Sequence, residues 1–434
     1  MITHAACSNW SSGRPIAGKE PSRPPHELTT WQLCAVFVVA LCLIVSRRPD
    51  AFFHAQFYAE DGVVFYHDAY EFGWMRVLFH PYGGYFHAVP RLSAALSLLW
   101  PFASAPFVLN CVAICVQALP AVLLLSPGSV HWGGTATRTS MAAIFIALPN
   151  GGEIHANITN SQCFMALSAF LLIAALPPRR TLSCVTAILF LILFGLSGPY
   201  CIFLAPIALY FATRNQDKWH WACFTVLASS AAFELLCLAI LDPGGRTRNV
   251  LGATAGRFVR ILAGDIYLGT LLGPNRMGGY EGSAAMIVLL LLSIGGTFVI
   301  AICFCRSSDQ MRAFILFSFA VFAASLMNPM SPVDAVPLWQ RFVSAGGEHY
   351  WFFPILSFAW SLLWLFWNRS DLGKVIGGAL LCIMSFGIVR DWEHPPFKDL
   401  NFHSYAMQFE SSIPGTRTTI PINPQGWQMQ LIKH

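Results

Sequence analysis

Charge is what this chain lacks. Only 11% of its 434 residues are Asp, Glu, Lys or Arg, against about 25% in an ordinary soluble domain. So little polar surface cannot face water on all sides, which excludes a soluble globular enzyme. The formal charge of +5 is spread thinly. No Lys/Arg cluster with interleaved aromatics stands outside the apolar runs, so the chain carries no nucleic-acid footprint. A glycine loop for nucleotide phosphates is missing as well. No internal repeat is visible, whereas a transporter more often has two related halves with broken helices at mid-membrane. The 13 Cys lie mostly inside apolar runs, where they act as small buried hydrophobes. No pair has zinc-ligand spacing with His partners. A secretory leader pattern is also absent. Residues 1–28 are polar and rich in Pro and Ser, with Arg14, Lys19 and Arg23, and are expected to form a disordered cytoplasmic tail.

Apolar residues are what the chain has, at 56% of the total. Runs able to span a bilayer lie near 30–45, 105–125, 139–149, 163–176, 182–197, 199–212, 219–241, 284–304, 313–327, 350–367 and 374–389. Several fall short of the roughly 20 residues a crossing helix needs and must borrow polar flanks. The expected fold is an all-α, polytopic transmembrane helical bundle of about 10–12 spans with extracytoplasmic loops. Residues 29–390 form the bundle and 391–434 a short extracytoplasmic tail. Short basic connectors recur between alternate spans: Arg138, Arg179 with Arg180, Arg214 with Lys218, Arg306 with Arg312, and Arg369 with Lys374. By the positive-inside rule these are cytoplasmic. The segments around 46–88, 150–162, 197–200, 242–283, 328–349 and 390–434 then share the opposite face. Parity calls for an odd number of crossings between residues 85 and 125; three do not fit the length, so Ala88–Trp100 is expected to lie at the interface, with one true span after the Pro101–Pro106 break.

The outer segments hold most of the acids, His and turn residues, which points to work at that face. The first reads Glu60-Asp61-Gly62, set among Phe57, Tyr58, Phe65 and Tyr66 and followed by His67-Asp68. A carboxylate in an apolar, aromatic setting gains proton affinity and suits a general base. The same acids would also suit the first turn of a helix. Next come Tyr82 to Arg91, including Tyr85 and His87. Such rings sit well in an interfacial aromatic belt, and Arg91 either attracts a phosphate or snorkels to a lipid headgroup. A third patch holds Asn150, Glu153, His155, Asn157, Asn160 and Gln162. Amides bind sugar hydroxyls with a donor and an acceptor each, and they also cap helices. In the fourth, Arg246, Arg248, Arg257 and Arg260 precede Asp265. Arg257 and Arg260 share a helix face and match either a phosphate or solvent. The fifth runs from Gln340-Arg341 through Gly346 to Glu348-His349-Tyr350 and enters a span. Glu234 is the one acid deep within a predicted span. Such residues are functional by default, although a Glu bound to a neighbouring Ser or to backbone looks the same.

The acid pair of the first loop, the Tyr82–Arg91 stretch, the amide-rich turn and the Gly-Gly entry into a late span resemble the GT-C superfamily of polytopic glycosyltransferases. That resemblance extends over the layout of residues 30–390. It implies sugar transfer from a polyprenyl-phosphate carrier at the non-cytoplasmic face, in a bacterial inner membrane. The partners it implies are a lipid-linked sugar donor, membrane lipids and a glycan, glycolipid or protein acceptor, with no nucleic acid. Asp61, or Glu60, would take the catalytic-base position. Arg91, Arg257, Arg260 and Arg341 would bind the donor phosphate. Glu153, His155, Asn157, Asn160, Tyr85, His349 and Tyr350 would meet sugar or acceptor. No cofactor is required, although Glu60, Asp61 and Asp68 could supply oxygen ligands to a divalent cation. Related sequences often show an Arg-Tyr step where this chain has His349-Tyr350, which leaves Arg341 to supply that contact. Some members also carry a sizeable C-terminal soluble domain, and here only a short stretch follows residue 390. The competing class is a transporter or flippase for a lipid-linked or anionic solute, and a third is a non-catalytic assembly subunit. An enzyme calls for a cleft at the outer face with Asp61 at its floor. A transporter calls for a polar cavity at mid-membrane.

Overall fold

The computed structural model describes residues 27–240, 250–274, 282–329, 336–344, 347–367 and 370–434. Arg246, Arg248 and Gly346, and the tail up to residue 26, lie outside the described residues. The chain is an all-α polytopic membrane protein with one small β-hairpin. Each apolar run of the sequence has become a helix. Among the described residues, seven are long and apolar enough to cross a membrane: Thr30–Arg47, Phe102–Leu125, Lys218–Ile240, Ser283–Arg306, Asp309–Met327, Glu348–Trp367 and Asp371–Arg390. Thr135–Ile146, Ser161–Ile173, Thr181–Gly195 and Tyr200–Asn215 are shorter. At 1.5 Å per residue they reach only about 18–24 Å, so the expected ten or more crossings need these shorter helices as well. Ala88–Ser97 is a separate helix, and Phe102–Ser104 forms a tight turn after Pro101.

Local chemistry sets the helix ends. Thr29 and Gln32 make a reciprocal capping box at the first span, and Ser308 and Ser370 cap later ones. Arg47, Arg306 and Arg390 stand in last turns, where a cation complements the helix dipole. The core is organised around Glu348–Trp367. Its Trp351, Phe353 and Trp360 are almost fully buried, and it packs on Ser283–Arg306, Asp309–Met327 and Asp371–Arg390. Ile287, Leu291, Phe298, Val375 and Phe386 stay exposed, the pattern of helices whose outer faces meet lipid.

Contacts sort the connectors into two ends. Arg179 pairs with Glu27 and Arg214 with Asp309 at one. At the other, the end of the first span meets residues 146–148, 155 and 391–392 through Arg47 and Arg48. The stretch 391–434 folds back over this second end. Its helix Phe402–Ser411 puts Phe402 against Phe57 and Phe102. The antiparallel strands β1, Arg417–Ile422, and β2, Trp427–Ile432, pair Arg417 with Ile432 and Ile422 with Trp427. Asn423 then bonds the first loop: its N–H donates to the Phe57 carbonyl at 3.1 Å, its carbonyl accepts from Ala59, and its side chain donates to Gln56.

Gly62 is required by this close approach. A Cβ there would sit 3.0 Å from Ile422 Cδ1 and 3.1 Å from Phe57 Cβ. The left-handed residue of the loop is its neighbour Ala59, with φ of 49°. Gly62→Val is therefore expected to lower stability by about 1–3 kcal/mol through overpacking, with partial recovery in Gly62→Val/Ile422→Ala. Thermal unfolding of the purified protein measures it, and an unchanged midpoint in the single variant would refute the contact.

Candidate active site

Asp61 opens a π-helical segment, Asp61–Tyr66. Such segments are rare and are found often at functional sites. Its side chain is buried, and Oδ1 accepts from the Thr159 hydroxyl and, at 2.9 Å, from the Thr159 N–H. Oδ2 has no hydrogen-bond partner among the described residues. Burial pushes the Asp61 carboxyl up to about 7; the Thr159 hydrogen bonds oppose the shift and the neighbouring Glu60 adds to it. Burial also raises Glu60, against the opposing charge of His349. The Tyr82 hydroxyl is in turn pushed up to about 12 by burial and by the charge of Glu60.

The amide-rich turn supplies the facing wall. His349 Nδ1 lies 2.8 Å from Glu153 Oε1, and the Glu153 N–H donates to Glu348 Oε2 at 2.7 Å. Burial works against the Glu153 carboxylate, but the charge and hydrogen bonds of His349 outweigh it and hold the group below its ordinary value. Asp265 belongs to a second π-helical segment, Ile261–Leu268. Burial and the charge of Glu348 push it up to about 8. Asn150 ties this segment to the turn, donating from Nδ2 to the Asp265 carbonyl at 3.0 Å and from its N–H to Asp391 at 2.8 Å. Both π-helical segments thus bring an acid of raised proton affinity to one end of the bundle, with Glu348 between the turn and Asp265. Arg48, beneath the Phe397 ring at 4.6 Å, is the cation whose charge reaches Tyr58 and Glu348.

The remaining site residues divide into several groups. His155 is buried with both ring nitrogens engaged, Nε2 donating to the Ile44 carbonyl at 2.8 Å and Nδ1 accepting from Gln117 at 3.0 Å. Asn157 and Asn160 bond to each other and to the Glu153 carbonyl, bracing the turn from within. Tyr85 is buried in the Tyr82–Tyr85 turn with its ring 4.6 Å from His87. Tyr350 meets Phe342 edge-on and the His349 ring at a tilt. Arg91 is buried and donates to Asp68 Oδ2 at 3.2 Å, while its Nε and Nη2 find no partner among the described residues. Arg257 bonds the Gly252 carbonyl and Gln340. This joins its helix, Ala255–Arg260, to Leu338–Ser344, which carries Arg341. Arg260 stands on the first of these helices. Arg91 thus pairs with Asp68 beside the first loop, while Arg257 links the two helices that carry Arg260 and Arg341.

Sequence reasoning missed Thr159, Tyr82, Arg47, Arg48 and Asp391 as parts of this end. Only Thr159 and Tyr82 carried a signal, standing inside stretches already singled out. Among the described residues no group of three or more His, Cys, Asp or Glu is arranged to hold a metal ion.

No family model and no curated protein matches this chain. Among solved structures it is similar to the oligosaccharyltransferase of Archaeoglobus fulgidus tethered to an acceptor peptide. That likeness has 14% identity and a TM-score of 0.44, covering 88% of this chain and 58% of that one. The chain thus spans less than two thirds of that protein's length.

Proposed function

We propose that this protein is a membrane glycosyltransferase. It moves a sugar from a polyprenyl-phosphate carrier to a glycan, glycolipid or protein acceptor at the extracytoplasmic face of a bacterial cell membrane. One observation carries the reading. Asp61 is held through one oxygen by Thr159, while the other is buried without a partner and the carboxyl binds its proton up to about 7. A base poised near the working pH and aimed by a fixed hydrogen bond suits proton abstraction. In the transfer, Asp61 takes the acceptor hydroxyl proton as the acceptor oxygen bonds the sugar's anomeric carbon. The carbon–oxygen bond to the carrier phosphate breaks, and the phosphate leaves with the electron pair. Fixed cations stabilise that charge, and Arg91, Arg257, Arg260 and Arg341 are assigned to it. Glu60 orients the acceptor. Glu153, His349, Tyr85 and Tyr350 face sugar or acceptor, while His155, Asn157 and Asn160 hold the turn that carries Glu153.

A transporter would place its polar groups at mid-membrane. The direct test presents the purified protein with a panel of polyprenyl-phosphate sugars and acceptors. Transfer from one of them supports the enzyme. Transfer from none, with counterflow of a solute in liposomes, supports a transporter.

A pH profile gives a second check. The base works only when ionised, so kcat/KM should fall about tenfold per pH unit below about 7. Thr159 holds the shift in check, so Thr159→Val should move this acid limb to higher pH. A limb near 4, or one that Thr159→Val leaves in place, would remove Asp61 as the titrating group.

A further inference from the structure

We propose that Glu234, inside the membrane helix Lys218–Ile240, is a positioning residue for the candidate active site, holding the Tyr82–His87 turn against the Asp61–Tyr66 segment. The inference rests on the glycosyltransferase reading for its functional half.

Glu234 is 0% exposed. Both its carboxyl oxygens point at one donor, the Phe86 N–H, at 3.2 and 3.3 Å. The next residue back, Phe233, stacks its ring on that of Phe86 with centroids 5.2 Å apart and planes within 14°. Two adjacent residues of a membrane helix thus grip one residue of the loop, by its backbone and by its side chain. The turn itself is rigid. Tyr82 and Tyr85 exchange backbone hydrogen bonds at 3.0 and 3.4 Å around Gly83 and Gly84, whose φ values are 60° and 86°. A Gly-Gly pair suits such a two-residue turn. His87 Nε2 donates back to the Tyr82 carbonyl at 3.1 Å. Beyond it, the Ala88 N–H donates to the Leu196 carbonyl and the Val89 N–H to Ser197. The turn is therefore anchored on one side at Glu234 and on the other at residues 196–197, and it lays the His87 ring 5.1 Å from Phe65 of the Asp61–Tyr66 segment, with Tyr82 close enough to Glu60 to feel its charge. Buried N–H groups need an acceptor, and in this apolar setting Glu234 is the acceptor that fixes the turn's height above the bundle.

This role depends on the reach of the acceptor and not on charge. Glu234→Gln keeps a carbonyl oxygen at the same reach, whereas Glu234→Asp keeps the carboxyl but is one methylene short. Hydrogen exchange is measured on peptides covering residues 82–89 in the purified, full-length protein, with acceptor KM and kcat alongside. In Glu234→Asp, exchange of this peptide should speed about tenfold or more and acceptor KM should rise about tenfold while kcat changes less than about threefold. Glu234→Gln should stay within about twofold of the unmodified protein in both. Equal protection in all three proteins, or Gln behaving like Asp, overturns the grip on Phe86. Lost protection with an unmoved KM overturns the positioning role. If the unmodified protein transfers no sugar, the glycosyltransferase reading fails, and the exchange comparison still decides whether Glu234 holds the turn.

Discussion

Asp61→Asn is expected to lower sugar transfer by about a hundred- to ten-thousand-fold, the usual loss when a general base is removed. Its fold should survive. The amide keeps the size of the carboxyl, and its carbonyl oxygen can still accept from the Thr159 N–H and hydroxyl. It also removes a group that burial makes costly to ionise, so thermal stability should hold or rise slightly. The comparison with Glu60→Gln separates the two acids of the pair. Glu60 is assigned to orienting the acceptor, so its loss should weigh mainly on acceptor KM. Single-turnover rates with the donor that supports transfer measure both. Asp61→Asn turning over within about threefold of the unmodified protein would take Asp61 out of the chemistry.

How much of this was legible differs from residue to residue. Each apolar run near a bilayer's length became a helix, because in lipid a chain can satisfy its backbone only within itself. The break that separates the helix Ala88–Ser97 from the next span followed from Pro101. Asp61 stood out because consecutive acids before a glycine, amid aromatics, are unusual next to a span. Its partner Thr159 lies 98 residues away, and no local pattern reports such a contact. The two π-helical segments are equally silent in sequence, since one extra residue per turn is decided by what the helix packs on. The hairpin escaped notice for a local reason. Pro421 interrupts β1, and a proline argues against a strand unless it lies at an edge. The arginines show the opposite limit: spacing placed Arg257 and Arg260 on one face, but the pairing of Arg91 with Asp68 is a tertiary contact that spacing does not report.

Arg47 gave no signal beyond a cation at the end of a span, yet its removal is expected to have the largest effect on stability. Its guanidinium is buried and forks into four carbonyls: Ile146 at 2.7 Å, Leu148 at 3.1 Å, and Asp391 and Trp392 at 3.2 Å. The Asp391 carboxylate stands 3.9 Å away and also accepts from the Asn150 N–H. One side chain thus ties the end of the first span, the start of the amide-rich turn and the end of Asp371–Arg390. Those are the segments from which the walls around Asp61 and Glu153 are built. Arg47→Met keeps the apolar stem and deletes every donor, leaving carbonyls and a carboxylate buried without their cation. Breaking a buried pair in this way costs about 3–5 kcal/mol. Arg47→Lys should recover only part of it, because a single ammonium cannot span the carbonyls that a planar fork reaches together. Thermal unfolding of the purified variants, with transfer measured at a temperature where all remain folded, tests both halves. The expected order of midpoints is Arg, then Lys, then Met, with transfer falling in the same order as the turn loosens. A Lys variant as stable as the unmodified protein would mean that charge alone, and not the fork, holds the three segments together.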